Sequence, residues 1–202
     1  MRVGILALQG DVSEHLVAMR NAMGKMKIGG EVIEVKRKDE LKDLDSLVIP
    51  GGESTAIGKL IAKYGIDSEI KNLAKKGIPI MGTCAGLVLV AKEGDEEVAK
   101  TGQPLLGLMD IKVKRNAFGR QRESFEADLE IGVLGKEPYH TVFIRAPAID
   151  KTGKGVDVLA RFEDKVVMAR QRNLLAVAFH PELTSDSRLH EYFLGMGNED
   201  SR

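Results

Sequence analysis

Tryptophan is absent from this chain, cysteine occurs once and aromatic residues make up only 4% of 202 positions. A single cysteine excludes an internal disulfide, so Cys84 acts, if it acts at all, as a thiol. Charge of neither sign is in excess: 30 Lys+Arg against 30 Asp+Glu give a formal net charge of zero. That removes the electrostatic case for nucleic acid or an anionic membrane surface as a partner. No apolar run approaches the length of a membrane span, and no secretory signal opens the chain, which sets a cytoplasmic expectation. The four histidines, His15, His140, His180 and His190, show no ligand spacing with the cysteine. No metal is therefore expected.

What is present describes a globular chain, with 43% apolar and 30% charged residues. Residues 1–202 suit one domain with a sizeable core, ending in a polar tail over about 197–202 that is expected to fray. Strand-like runs at Arg2–Leu8, Glu31–Lys36, Leu47–Pro50 and Ile78–Met81 alternate with helical patterns at Asp11–Met23, Ser54–Lys63, Asp67–Lys76 and Ala85–Lys92. In the first helix Leu16, Met19, Ala22 and Met23 form one stripe. This alternation predicts an α/β fold: a doubly wound, mostly parallel sheet with helices on both faces. The second half reads as an added antiparallel region. Short strands are expected at Leu106–Lys114, Ser124–Ile131, Thr141–Arg145, Val156–Arg161 and Lys165–Arg170. The strand Leu174–Phe179 and a closing helix Ser185–Met196 follow. Gly94–Gln103, polar and charged, reads as a loop.

Chemistry concentrates in a few strings. Gly82-Thr83-Cys84-Ala85-Gly86 is a nucleophile elbow with sulfur in place of oxygen, a sharp turn from strand into helix flanked by small residues. The helix start directs N–H groups at the sulfur and favours thiolate. The plain alternative is a buried, inert cysteine. Ala176-Val177-Ala178-Phe179-His180-Pro181-Glu182 delivers a histidine at a strand end. A glutamate stands two positions on, on the same side of an extended chain. Nucleophile, base and orienter would then be Cys84, His180 and Glu182; otherwise His180 and Glu182 are a solvated pair.

Pro50-Gly51-Gly52-Glu53-Ser54-Thr55 ends a strand and opens a helix that Ser54 or Thr55 could cap. Its glycines can turn N–H groups toward an anion. The amides of Gly52 and Ala85 are candidates for an oxyanion hole, and a plain turn is the alternative. Arg115 and Arg145 fall at expected strand ends, where a forked guanidinium suits a carboxylate.

Together these residues resemble the class I, triad-type glutamine amidotransferases, and within them the glutaminase subunits of pyridoxal 5′-phosphate synthase. The resemblance spans nearly the whole chain. It is carried by Leu8-Gln9-Gly10 with Glu14-His15, by the strings around Gly51, Cys84 and His180, by Arg115-Asn116-Ala117-Phe118-Gly119-Arg120-Gln121, by Ser124–Asp128 and by Phe143-Ile144-Arg145-Ala146-Pro147. The extra stretches near Gly24–Gly30 and Glu93–Lys100 depart from the family pattern. The resemblance implies a cysteine thioester glutaminase with Cys84 as nucleophile and His180 and Glu182 as its relay. Gly51, Gly52, Glu53, Arg115, Ile144 and Arg145 would hold L-glutamine. It further implies no cofactor, and ammonia passed to a synthase subunit of TIM-barrel form in a ring assembly. Two other readings stay open: a same-fold cysteine hydrolase or amidotransferase serving another synthase, and a non-enzymatic sensor whose cysteine is oxidised.

Overall fold

A computed structural model describes residues 1–119 and 123–198. Arg120 and Gln121, and tail residues 199–202, lie outside the described residues. The elements in chain order are β1 (Arg2–Leu6), α1 (Val12–Lys25), β2 (Glu31–Val35), β3 (Ser46–Ile49), α2 (Ser54–Lys63), α3 (Ile66–Lys75), β4 (Ile80–Thr83), α4 (Ala85–Val90), β5 (Ala91–Gly94) and α5 (Glu96–Thr101). Then come β6 (Met109–Lys114), β7 (Ser124–Leu129), β8 (Tyr139–Ile144), β9 (Ala148–Thr152), β10 (Asp157–Phe162), β11 (Lys165–Gln171), β12 (Leu174–Val177) and α6 (Arg188–Gly195).

One large sheet runs β2-β1-β3-β4-β12-β11-β9-β6-β5, with β10 paired to β11. The five strands from β2 to β12 are parallel. From β12 outward the pairing turns antiparallel through β11, β9 and β6, and β5 joins β6 in parallel. β7 and β8 form a separate two-stranded antiparallel sheet. The α/β reading holds, and so does the added antiparallel region in the second half.

The chain steps one way from β1 to β2 and the other way from β3 to β4. Right-handed crossovers therefore place α1 on one face and α2 and α3 on the other. The reversal falls between β1 and β3, the place where open α/β sheets bind ligands beyond the carboxyl strand ends. β3, β4 and β12 are buried along their whole length, as strands covered on both faces must be. The stripe Leu16, Met19, Ala22 and Met23 is buried, and His15 lies buried beside it.

Three expectations fail. Gly94–Gln103 is not a loop: α5 forms there, started by Asp95, whose side chain accepts the Val98 N–H at 3.1 Å. The helix expected over Ala85–Lys92 stops at Val90, and Ala91–Gly94 becomes strand β5. β9 was not foreseen at all. At the far end a 3-10 turn spans Met196–Asn198.

The scarce aromatic residues are not scattered. Five of the six phenylalanines form one contact cluster: Phe118, Phe125, Phe143, Phe162 and Phe179. Phe125 and Phe143 stack at 4.6 Å. Such pairs contribute roughly 0.5–1.5 kcal/mol each beyond their burial. The cluster fastens the β7–β8 hairpin to the end of β12, and so to one wall of the site.

Candidate active site

Four strand ends meet at the sheet's carboxyl edge: β1 leads to Gln9 and Asp11, β3 to Gly51 and Gly52, β4 to Cys84, and β12 to His180. β4 and β12 are neighbours, with Thr83 opposite Val177. The Cys84 N–H donates to the Val177 carbonyl at 2.8 Å. That bond closes the gap of nearly a hundred residues between the cysteine and the histidine, which no local reading could close.

Cys84 occupies the elbow, with φ 48° and ψ −101°. A non-glycine residue there is strained by about 1–3 kcal/mol, a cost typical of functional turns. The turn is possible because Gly86 has no side chain: a Cβ on it would stand 2.0 Å from the Ile49 carbonyl oxygen. α4 can thus start directly against β3. The sulfur is nearly buried, at 8% residue exposure, and lies 3.9 Å from the Ile144 carbonyl oxygen.

His180 is held from three sides. Its N–H donates to the Val142 carbonyl at 2.8 Å. Its Nδ1 lies 2.7 Å from Glu182 Oε1 and 3.4 Å from Asp11 Oδ2. The contact with Glu182 was foreseen, but not its local geometry. Pro181–Leu183 is a 3-10 turn, not extended chain, and the turn folds the carboxylate back onto the ring. Burial alone would disfavour the charged imidazole; the Asp11 and Glu182 carboxylates at Nδ1, with the nearby Cys84 sulfur, outweigh it and hold His180 well above its ordinary range. The imidazole is therefore held in its protonated form.

Asp11 is the participant the sequence reading missed. Its pKa is lowered, chiefly by the hydrogen bond to His180, and its N–H donates to the Gly51 carbonyl at 3.3 Å. The legible signal was its position just after β1 at the carboxyl edge. Asp11, His180 and Glu182 bring potential ligand atoms within 4.8 Å of one another. Here the two carboxylates are answered by the imidazolium proton, which a cation would have to displace.

A cavity of about 350 Å³ opens over the sulfur, lined in part by Gln9, Gly52, Glu53, Ala85, Arg115 and Arg145. Ile144 and His180 also face it. Gly51 does not: it lies beneath His180, where a Cβ would come within 2.6 Å of the ring Cε1 and 2.7 Å of Asp11 Oδ2. Gly52, at φ 142°, needs glycine for a different reason, since a Cβ there would strike the Gln9 side chain at 2.7 Å. Gln9 Oε1 accepts the Glu53 N–H at 2.8 Å and ties this loop to β1.

The helix cap also differs from expectation. Glu53, not Ser54 or Thr55, caps α2 by accepting the Thr55 and Ala56 N–H groups. The same carboxylate meets Arg115 at 3.2 Å, and Arg115 also donates to Thr55 Oγ1 at 3.2 Å. Arg115 is thus fixed in the cavity wall. Arg145 is exposed to the cavity and, like Cys84, is a non-glycine residue at positive φ, here 43°.

A model of the SNO glutamine amidotransferase family matches residues 5–199. This chain belongs to that family. This chain is similar to a Methanococcoides burtonii protein named pyridoxal 5′-phosphate synthase subunit PdxT. It is 58% identical over 194 residues, covering 96% of this chain and 98% of the relative. A protein of the same name from Archaeoglobus fulgidus is 54% identical over 197 residues, covering 98% of each. Among solved structures, one described as a glutamine amidotransferase superposes with a TM-score of 0.85 at 48% identity, covering 97% of this chain and 98% of that one.

Proposed function

We propose that this chain hydrolyses L-glutamine to L-glutamate and ammonia through a thioester on Cys84. The ammonia passes to the synthase subunit that builds pyridoxal 5′-phosphate. The observation that carries the reading is the convergence of Cys84, His180 and Glu182 under a cavity with two arginines in its wall. The relatives named PdxT supply the product class and the partner.

The steps follow from the parts. Cys84 sulfur attacks the side-chain amide carbon of glutamine, and the oxyanion is met by the N–H groups of Gly52 and Ala85. His180 gives its proton to the amide nitrogen, and ammonia leaves. His180 then takes a proton from water, which attacks the thioester and frees glutamate and the sulfur. Arg115 and Arg145 hold the substrate's α-carboxylate, while Glu53 keeps Arg115 in place and offers negative charge to the α-ammonium. No cofactor takes part in these steps. The partner is a TIM-barrel synthase assembled as a ring, and the setting is the cytoplasm; among the described residues no helix is long and apolar enough to cross a membrane.

Incubating the chain with glutamine, with and without the synthase subunit, and measuring ammonia tests the reading. Ammonia release that rises with the synthase supports it; no release under either condition overturns it. Arg115→Ala and Arg145→Ala are each expected to raise the apparent KM for glutamine roughly tenfold or more. That matches the loss of a charge-assisted hydrogen bond of about 1.5–3 kcal/mol. Steady-state kinetics on the complex decide it, and unchanged KM in both variants removes the arginines from the substrate.

A further inference from the structure

His15 is fully buried on the first turn of α1, and nothing in the steps above uses it. Its Nε2 lies 3.1 Å from the hydroxyl of Thr83, the residue before the nucleophile, and 3.3 Å from Glu182 Oε2. Glu182 uses its other oxygen, Oε1, on His180. An ionised carboxylate only accepts hydrogen bonds, so the proton of a neutral His15 belongs on Nε2. Nδ1 meets no hydrogen-bond partner among the described residues, and neither does Glu182 Oε2, whose approach to Nε2 is a close contact rather than an aligned hydrogen bond. A buried nitrogen lone pair tolerates that better than a stranded N–H.

We propose that His15 is a positioning residue: paired with the Thr83 hydroxyl, its Nε2–H faces the otherwise unpartnered far oxygen of Glu182 at 3.3 Å and ties the orienter of His180 electrostatically to the strand end that carries Cys84. The proposal rests on the reading of Cys84, His180 and Glu182 as the hydrolytic centre.

The surroundings fit a neutral donor. The groups that face His15 are Glu182 and His180 from beyond β12, and His190 from α6, whose ring lies edge-on at 6.2 Å; Asp11, one turn before His15, accepts the His15 backbone N–H and reaches the same Nδ1 of His180 as Glu182. Burial first, then His190 and His180, push the His15 pKa well below its ordinary value. Burial likewise pushes His190 down to about 4. Both rings are thus held uncharged, and the cation beside Glu182 is His180. Burial pulls the Glu182 pKa upward against that pairing. A donor on Oε2 therefore decides how far into acid the orienter stays ionised.

His15→Leu fills the space without the donor, and His15→Gln returns an N–H close to the position of Nε2. In the reconstituted complex with the synthase, His15→Leu is expected to lower kcat about tenfold with KM for glutamine within about twofold. Losing a donor to an anion favours its protonated form. The acid limb of kcat should therefore move up by about one pH unit, a tenfold change in the carboxyl's proton affinity. His15→Gln should recover both. A native pH profile in His15→Leu, or equal defects in the two variants, overturns the proposal. Imidazole ¹⁵N NMR on the unsubstituted full chain gives a readout that needs neither activity nor a variant. A neutral His15 protonated at Nε2 supports the proposal even should glutamine prove the wrong substrate; an Nδ1–H form or an imidazolium overturns it.

Discussion

Cys84→Ala is expected to abolish ammonia release from glutamine, a loss of roughly 10⁴–10⁶ in kcat, the range found when a triad nucleophile is removed. The fold should survive. Alanine keeps the Cβ that the strained φ of 48° already accommodates, and Gly86, not Cys84, permits the close approach to Ile49. One sulfur is lost from a cavity-lining position, so stability should change by no more than about 1 kcal/mol. Circular dichroism and thermal unfolding of the variant, set beside its glutaminase assay, separate a missing nucleophile from a missing fold. Residual turnover within a hundredfold of the unsubstituted chain would place the nucleophile elsewhere.

The second large effect is a graded one. His180→Ala removes the proton carrier, and kcat should fall on the order of 10⁴-fold or more. Glu182→Gln should be milder. Where an orienter stands alone, its amide replacement costs about 10⁴ because the ring takes the wrong tautomer. Here Asp11 Oδ2 is 3.4 Å from the same Nδ1 and still demands a proton there. A loss on the order of 10²–10³ is therefore expected for Glu182→Gln. The double variant Asp11→Asn, Glu182→Gln should drop to the level of His180→Ala. Single-turnover kinetics on the four proteins check the order. If Glu182→Gln alone matches His180→Ala, Asp11 does not share the orienting role.

The parts of the site that were legible are those where backbone sterics force residue choice. An elbow with a nucleophile at its apex needs small flanking residues, so Gly82, Ala85 and Gly86 announce Cys84. A strand delivering His-Pro-Glu announces a base and its orienter, although the turn that brings Glu182 back is 3-10 rather than extended. Contacts that depend on sheet order were not legible. Asp11 reaches His180 only because β1 lies beside β3 at the switch point, and His15 reaches Glu182 only because α1 crosses the same edge. The helix α5 escaped because six residues with only Val98 buried carry no periodic stripe. β9 escaped for a similar reason: Ala148 and Ile149 are buried, then Asp150, Lys151 and Thr152 are exposed, with no alternation to read. The central parallel strands were found because burial on both faces makes them continuously apolar.

The central claim is that glutamine passes through a thioester on Cys84. The most direct measurement is rapid acid quenching of the complex of this chain with its synthase during turnover, followed by peptide mass spectrometry. The expected result is a γ-glutamyl group on the peptide containing Cys84, present during turnover and absent from Cys84→Ala. Ammonia produced with no acylated enzyme at any quench time, or an acyl group on a different residue, would contradict it.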